Sequence, residues 1–178
     1  AGLPGTGKTT LIHTLASKFK KGIACIDFSH EKMTDDRLKY AVQKLKDDEF
    51  LVLEDIDSTF AKKRDTRNTH VTFSGLLNVL DGIVKKQALV VFMTTNFLKN
   101  IDDVALNRRV DFYMKFDTIT PEQVREMFTR FFPTQDADAF CKRVKGLKMT
   151  PCVLQKFFIR RLRVENVIEE VTALVQMC

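Results

Sequence analysis

Near the start of the chain, Gly2-Leu3-Pro4-Gly5-Thr6-Gly7-Lys8-Thr9 fits the spacing G-x-x-x-x-G-K-[ST]. Residues of these types at this spacing bind phosphate. The glycines let successive backbone N–H groups curl around phosphate oxygens, the Lys8 ammonium reaches the outer phosphates, and the Thr9 hydroxyl is a hard oxygen ligand for Mg²⁺. A helix beginning near Lys8 adds its positive end to the same anion site. Gly2, Pro4, Gly5, Thr6, Gly7, Lys8, Thr9 and Thr10 are therefore the candidate nucleotide-binding residues. The competing reading, a Gly/Pro-rich turn ahead of a helix, leaves the Lys-Thr pair without a role.

The next chemically informative stretch is Leu51-Val52-Leu53-Glu54-Asp55-Ile56-Asp57, an apolar run that ends in acids. At an ATP site, one such carboxylate holds the Mg²⁺ ion and its waters, and a neighbour orients or deprotonates the water that attacks the γ-phosphate. Glu54 is assigned to the metal, together with Thr9, and Asp55 to the water; the reverse assignment stays open. Asn96 follows another apolar run, and its amide can hydrogen-bond the attacking water or the γ-phosphate, although Asn after a strand is equally a turn former. Arg108 and Arg109 lie in a polar segment, where a guanidinium can reach the nucleotide of a neighbouring subunit and stabilise transition-state charge. Two solvated arginines would look the same. The candidate catalytic set is Glu54, Asp55, Asn96, Arg108 and Arg109, with ATP and Mg²⁺ as the ligands.

The elements that must position these residues follow from hydrophobic periodicity. Residues 23–28, 50–54, 88–94 and 111–116 read as strands, alternating with helical patterns, which is the signature of a parallel sheet with crossover helices. Leu11, Leu15 and Phe19 line one side of a first helix, and Leu38, Val42 and Leu45 do so in a second. A third carries the stripe Phe73, Leu76, Leu77 and Leu80, with Gly82 as its C-cap. From about Ile119 only helical periodicity remains. Thr120-Pro121-Glu122 starts a helix bearing Val124, Met127, Phe128 and Phe131. Further apolar stripes run through Phe140, Val144 and Leu147, through Leu154, Phe157, Phe158 and Leu162, and through Val164, Val167, Ile168, Val171 and Leu174. The expected fold is α/β, a doubly wound parallel sheet whose phosphate-loop strand lies outside the chain, followed by a small all-helical lid. The expected domains are residues 1–118 and 119–178.

The 178 residues carry 29 Lys+Arg against 23 Asp+Glu, a net charge of +6, with 44% hydrophobic and 29% charged residues. These values fit a globular chain and argue against wholesale disorder. The longest apolar run, residues 88–93, falls far short of the roughly 20 residues a membrane-spanning helix needs. Cys25, Cys141, Cys152 and Cys178 are scattered without a C-x-x-C pair or nearby histidines, which argues for reduced thiols and against zinc. The basic groups Lys18/Lys20/Lys21, Lys62/Lys63/Arg64 and Arg160/Arg161/Arg163 lack a nucleic-acid-binding motif or interleaved aromatic platform, and read as solvated faces or subunit contacts. The chain opens inside the phosphate loop without an initiator Met, so a longer parent is expected.

The order of these features resembles the AAA ATPases: phosphate loop, Leu51–Asp57, Thr94-Thr95-Asn96, an arginine-bearing segment and a helical lid. A narrower likeness rests on Leu53-Glu54-Asp55-Ile56-Asp57 and on the run from Val71 to Gly82. With Phe92-Met93-Thr94-Thr95-Asn96, Arg130-Phe131-Phe132-Pro133, Met149-Thr150-Pro151 and Leu154-Gln155, these resemble the mitochondrial AAA chaperones that assemble the cytochrome bc complex by translocating the folded Rieske iron–sulfur protein. The resemblance accounts for the Glu-Asp order, where most of the wider class has Asp-Glu. It implies an ATPase acting in a homo-oligomeric ring on a folded, Rieske-type protein client at the mitochondrial inner membrane; without it, the cytoplasm is the default location. Nucleic acid is not an expected partner, and a membrane is reached only through an anchor that these residues do not include.

Three departures stand out. The arginine segment Asn107-Arg108-Arg109 is a residue shorter than in relatives, the subfamily's anchor and N-terminal domain are absent from these residues, and Ser29-His30-Glu31-Lys32-Met33 replaces the aromatic-apolar-Gly pore loop of threading unfoldases. The last agrees with a folded client. Two other functions stay open: a nucleotide-binding assembly element with little hydrolysis, motivated by the short arginine segment, and a DNA-handling AAA protein, motivated by the net positive charge.

Overall fold

The computed structural model describes residues 1–28, 30, 32–60, 70–83, 89–100 and 104–177. They form two units. One comprises Ala1–Gly2 and Lys8–Lys115; the other comprises Leu3–Gly7 and Phe116–Cys178.

The first unit is α/β. In chain order it contains α1 (Lys8–Phe19), β1 (Gly22–Ile26), α2 (Asp35–Lys44), β2 (Glu49–Leu53), α3 (Ile56–Phe60), α4 (Phe73–Ile83), β3 (Val91–Met93), a 3₁₀ turn (Leu98–Asn100) and α5 (Val104–Asn107). The strands are parallel in the order β1-β2-β3, with Ala24 opposite Leu51 and Leu51 opposite Val91. As the middle strand, β2 is covered on both faces. Phe50, Leu51, Val52 and Leu53 are all buried, which is why this strand reads as a continuous apolar run rather than an alternating one. Leu38 and Val42 of α2 and Leu76, Val79 and Leu80 of α4 complete the core with Ile26, Leu51 and Leu53.

The sequence misplaces three features here. The buried residues of α1 are Ile12 and Ala16, whereas Phe19 is exposed. Leu11, Leu15 and Phe19 form the adjacent helical row, and the small Ala16 is the residue buried. Gly82 lies inside α4 rather than capping it. Residues 111–116 make no strand ladder; the Met114 carbonyl instead accepts a hydrogen bond from the Ala1 nitrogen at 2.8 Å.

The second unit is helical beyond its loop residues: α6 (Pro121–Phe131), α7 (Ala137–Arg143), α8 (Pro151–Ile159), then a 3₁₀ turn (Val167–Glu170) leading into α9 (Val171–Val175). Thr120 caps α6 in a reciprocal box with Gln123, and Pro121 supplies a preset φ at the first helical position. The core is aromatic. The Phe128 and Phe140 rings stack at 4.4 Å, and Phe158 meets Phe128 at 5.7 Å and Phe132 at 5.3 Å. No helix among the described residues is long and apolar enough to cross a membrane.

Candidate functional site

In the first unit, the ends of β2 and β3 and the start of α1 converge. The Lys8 Nζ donates to the Gly2 carbonyl at 2.7 Å and to the Asn96 Oδ1 at 2.8 Å. The Asn96 amide is thereby oriented, and its Nδ2 donates to the Asp55 Oδ1 at 3.0 Å. The Thr9 hydroxyl donates to the Glu54 Oε1 at 2.7 Å. Burial holds the Lys8 ammonium below its ordinary range, and the Asp55 and Asp57 carboxylates offset only part of that shift. Five of the residues singled out in the sequence, from segments up to 88 positions apart, therefore fall into two hydrogen-bonded sets, Lys8–Asn96–Asp55 and Thr9–Glu54, whose members adjoin along the chain.

The local backbone explains the aim of the two acids. Strand β2 ends at Leu53, and Asp55 adopts a left-handed φ of 45°. Asp tolerates this conformation better than most residues because its short side chain bonds locally. The turn is tied down on both sides. The Asp55 N–H donates to the Thr94 hydroxyl at 2.9 Å, the Ile56 N–H to the Thr94 carbonyl at 3.0 Å, and the Ser58 N–H and hydroxyl to the Asp55 carbonyl. As a result Glu54 meets Thr9 while Asp55 meets Asn96.

Two residues that the sequence reading left without a role each hold a candidate residue, Asp57 at the Lys8 site and Asp81 away from it. Asp57, buried at 7% exposure, accepts from the backbone N–H groups of Asn96 at 3.0 Å and Phe97 at 3.3 Å. Its position two residues after Asp55 was the only signal. Asp81, near the end of α4, takes the Arg109 guanidinium in a two-pronged pair at 2.6 Å for each bond, and a further guanidinium nitrogen donates to the Ala105 carbonyl. The Arg109 guanidinium holds the Asp81 carboxyl below the usual carboxylate range. Arg109 is thus turned back onto its own unit, whereas Arg108 is exposed. The structure brings neither arginine to the Lys8 site.

The residues Leu3–Gly7 belong to the second unit. Gly5 and Gly7 have φ of 74° and 97°, the left-handed region in which glycine is favoured, and the Thr6 hydroxyl donates to the Leu3 carbonyl at 2.7 Å. The Gly5 carbonyl accepts from the Cys152 N–H at 3.1 Å, and a Cβ on Gly5 would meet the Cys152 Cβ at 2.9 Å. Pro4 and Thr10 are exposed. Ser29 and Glu31 of the pore-loop position, the Lys62/Lys63/Arg64 group and Cys178 lie outside the described residues.

The donor set fits Mg²⁺. The ion prefers hard oxygen ligands and takes only one or two from protein, the rest coming from phosphate and water. The exposed Thr9 hydroxyl and Glu54 carboxylate supply that pair. The described residues contain no group of three or more His, Cys, Asp or Glu able to hold a metal without such help.

Comparison with known proteins identifies the family of the chain. Residues 1–118 match the model of the "ATPase family associated with various cellular activities (AAA)", and residues 121–173 match that of the "Mitochondrial chaperone BCS1-like, ATPase lid domain". The probable mitochondrial chaperone bcs1 of Schizosaccharomyces pombe is 38% identical over 136 residues, covering 74% of this chain and 30% of that protein. Mitochondrial chaperone BCS1 of Danio rerio is 34% identical over 146 residues (76% and 35%), and that of Homo sapiens 31% over 172 residues (89% and 41%). The chain therefore spans less than half the length of these relatives. Among solved structures, the RuvB Holliday junction branch migration motor of Thermotoga maritima shares the fold, with a TM-score of 0.67 and 20% identity over 98% of this chain and 58% of that one. The chain belongs to the AAA family of ATPases, and its C-terminal helices to that family's BCS1-like lids.

Proposed function

We propose that this chain is the Mg²⁺-dependent ATP-hydrolysing part of a ring-forming chaperone that translocates or assembles a protein client. Residues 1–118 act as its ATPase core and 119–178 as its lid. The relatives named mitochondrial chaperones support a mitochondrial setting, and the resemblance in sequence extends this to the inner membrane and a folded, Rieske-type client. The observation that carries the reading is the convergence of Lys8, Thr9, Glu54, Asp55 and Asn96 through side-chain bonds of 2.8, 2.7 and 3.0 Å.

In this reading Gly2, Pro4, Gly5, Thr6, Gly7 and Thr10 shape the loop, and its N–H groups hold the phosphates. Lys8 exchanges its bonds to Asn96 and Gly2 for charge-assisted bonds to the outer phosphates. Thr9 and Glu54 would hold the Mg²⁺, which when bound would supply neutralisation of the charge on the phosphate oxygens. Asn96 and Asp55 orient the attacking water. Its oxygen bonds to the γ-phosphorus as the bond to the β-phosphate oxygen breaks, ADP leaves with that electron pair, and the water's proton passes to Asp55. Of the two arginines, the exposed Arg108 is assigned to a neighbouring subunit's nucleotide, because Arg109 is committed to Asp81.

The test is ATP hydrolysis as a function of protein concentration. Turnover per chain rises with assembly, Lys8→Ala abolishes nucleotide binding, and Asp55→Asn keeps binding while slowing turnover on the order of a hundredfold. Concentration-independent turnover by a stable monomer contradicts the ring, and a fully active Asp55→Asn removes its assignment to the water. A second reading, a nucleotide-held assembly element, is favoured by the commitment of Arg109 to Asp81. Tight Lys8-dependent ATP binding without turnover would select it.

A further inference from the structure

We propose that Asp57 is a positioning residue for the hydrolytic step: its carboxylate fixes the turn that presents Asn96 to Lys8 and Asp55. The inference rests on the ATPase reading above and adds a residue that touches neither phosphate nor metal.

The turn after β3 has little apolar packing to hold it. Phe97 is 55% exposed and Leu98 40%, so neither side chain anchors the segment in the core. What holds it is polar. The Asp57 Oδ1 accepts from the Asn96 N–H and the Oδ2 from the Phe97 N–H, across 39 and 40 positions of sequence. With both oxygens engaged by consecutive amides, the carboxylate fixes the direction of the turn as well as its distance. The Asn96 side chain then has its two ends assigned, Oδ1 to Lys8 and Nδ2 to Asp55. At the same turn Thr94 binds the backbone of Asp55 and Ile56. The two loops at the strand ends are therefore joined reciprocally: the β3 side holds Asp55 through Thr94, and the β2 side holds Asn96 through Asp57. A carboxylate is required because both partners are donors. An asparagine of the same shape offers one acceptor oxygen and an NH₂ group that faces the second N–H as a donor against a donor.

Asp57→Asn in the full chain should lower kcat by about tenfold to a hundredfold, the usual effect of removing a partner that orients a reacting group. The KM for ATP and the affinity for a non-hydrolysable ATP analogue should stay within about threefold, since the Asp57 bonds run to the Asn96 and Phe97 amides and the phosphate loop keeps its own. Asn96→Ala should reproduce the kcat loss, and the double variant should be no slower than the worse single one, because both changes remove the same arrangement. Amide hydrogen exchange at Asn96 and Phe97 should accelerate in Asp57→Asn while that of β2 does not. Asp57→Asn turnover equal to wild type, losses that multiply in the double variant, or a variant that does not fold would each overturn the proposal; the last would assign Asp57 to stability alone. A wild-type protein without turnover overturns the ATPase reading and this one together. Active wild type beside active Asp57→Asn overturns this one only.

Discussion

At the scale of single residues, the site stores a small strain and one unmet bond. Asp55 and Lys20 are the non-glycine residues among those described with left-handed backbone, a conformation that costs roughly 1–2 kcal/mol. At Asp55 the cost is offset by bonds from its own N–H and to its own carbonyl, and the result is a carboxylate aimed away from that of Glu54. Next to it, Thr94 has both backbone and hydroxyl engaged, whereas the buried Thr95 hydroxyl has no hydrogen-bond partner among the described residues. A buried hydroxyl without a partner costs about 1–3 kcal/mol. Thr95→Val keeps the branched shape, so it should raise the urea midpoint with a gain of about 1 kcal/mol and leave ATP binding unchanged. A lowered midpoint would show that the hydroxyl is satisfied by solvent. The contrast also marks the limit of reading residues from sequence. The phosphate loop, the acidic strand end and Asn96 were legible because each has a type and spacing tied to a ligand. Asp57 was not, because its partners are backbone amides, and an amide looks the same at every position.

At the scale of elements, side chains at helix starts do much of the joining. The Asp35 carboxylate, at the first residue of α2, accepts from the Thr72 N–H and hydroxyl at 2.8 Å each, and the Thr72 hydroxyl in turn accepts from the Gly75 N–H at 2.8 Å at the start of α4. A Cβ on Gly75 would lie 2.1 Å from the Asp35 Oδ1. Gly75→Ala should therefore destabilise the protein by about 1–2 kcal/mol, the lost charge-assisted bonds exceeding the gain in helix propensity. In an Asp35→Ala background the same substitution should stabilise by about 1 kcal/mol, and urea unfolding of the four proteins measures the reversal. An additive result would mean that the two helices do not communicate through this carboxylate. The apolar stripes of α2, α4 and α6 were legible because each has one dominant face. That of α1 was not, because Leu11, Ile12, Leu15, Ala16 and Phe19 populate adjacent rows and residue size suggests the wrong one. Residues 111–116 have strand composition, but composition cannot supply a ladder partner.

At the scale of the whole molecule, the two units use different physics: buried aliphatic strands in one, interlocked phenylalanine rings in the other. Of the basic groups noted in the sequence, Lys21 donates to the Asp47 carbonyl at 2.8 Å, and Arg161 lies over the Phe157 ring and bonds to Glu170 at 2.8 Å. Arg108 and Arg109 differ, the first exposed and the second paired with Asp81. In assembled protein, Arg108→Ala should cut kcat about a thousandfold at unchanged ATP affinity and melting temperature. Arg109→Ala should act through the placement of its neighbour, with Asp81→Ala reproducing its kcat loss. Steady-state kinetics of the three variants decide it, and a neutral Asp81→Ala beside an inactive Arg109→Ala would exchange the two roles. The bond from the Cys152 N–H to the Gly5 carbonyl bears on how such a protein can change over time. The donor is main chain, so the identity of residue 152 can drift without altering the loop, provided it does not become proline. Position 5 has no such freedom, because any side chain there meets Cys152 in a backbone conformation that favours glycine. Substitutions along this stretch are therefore filtered at the loop and tolerated at the helix that holds it.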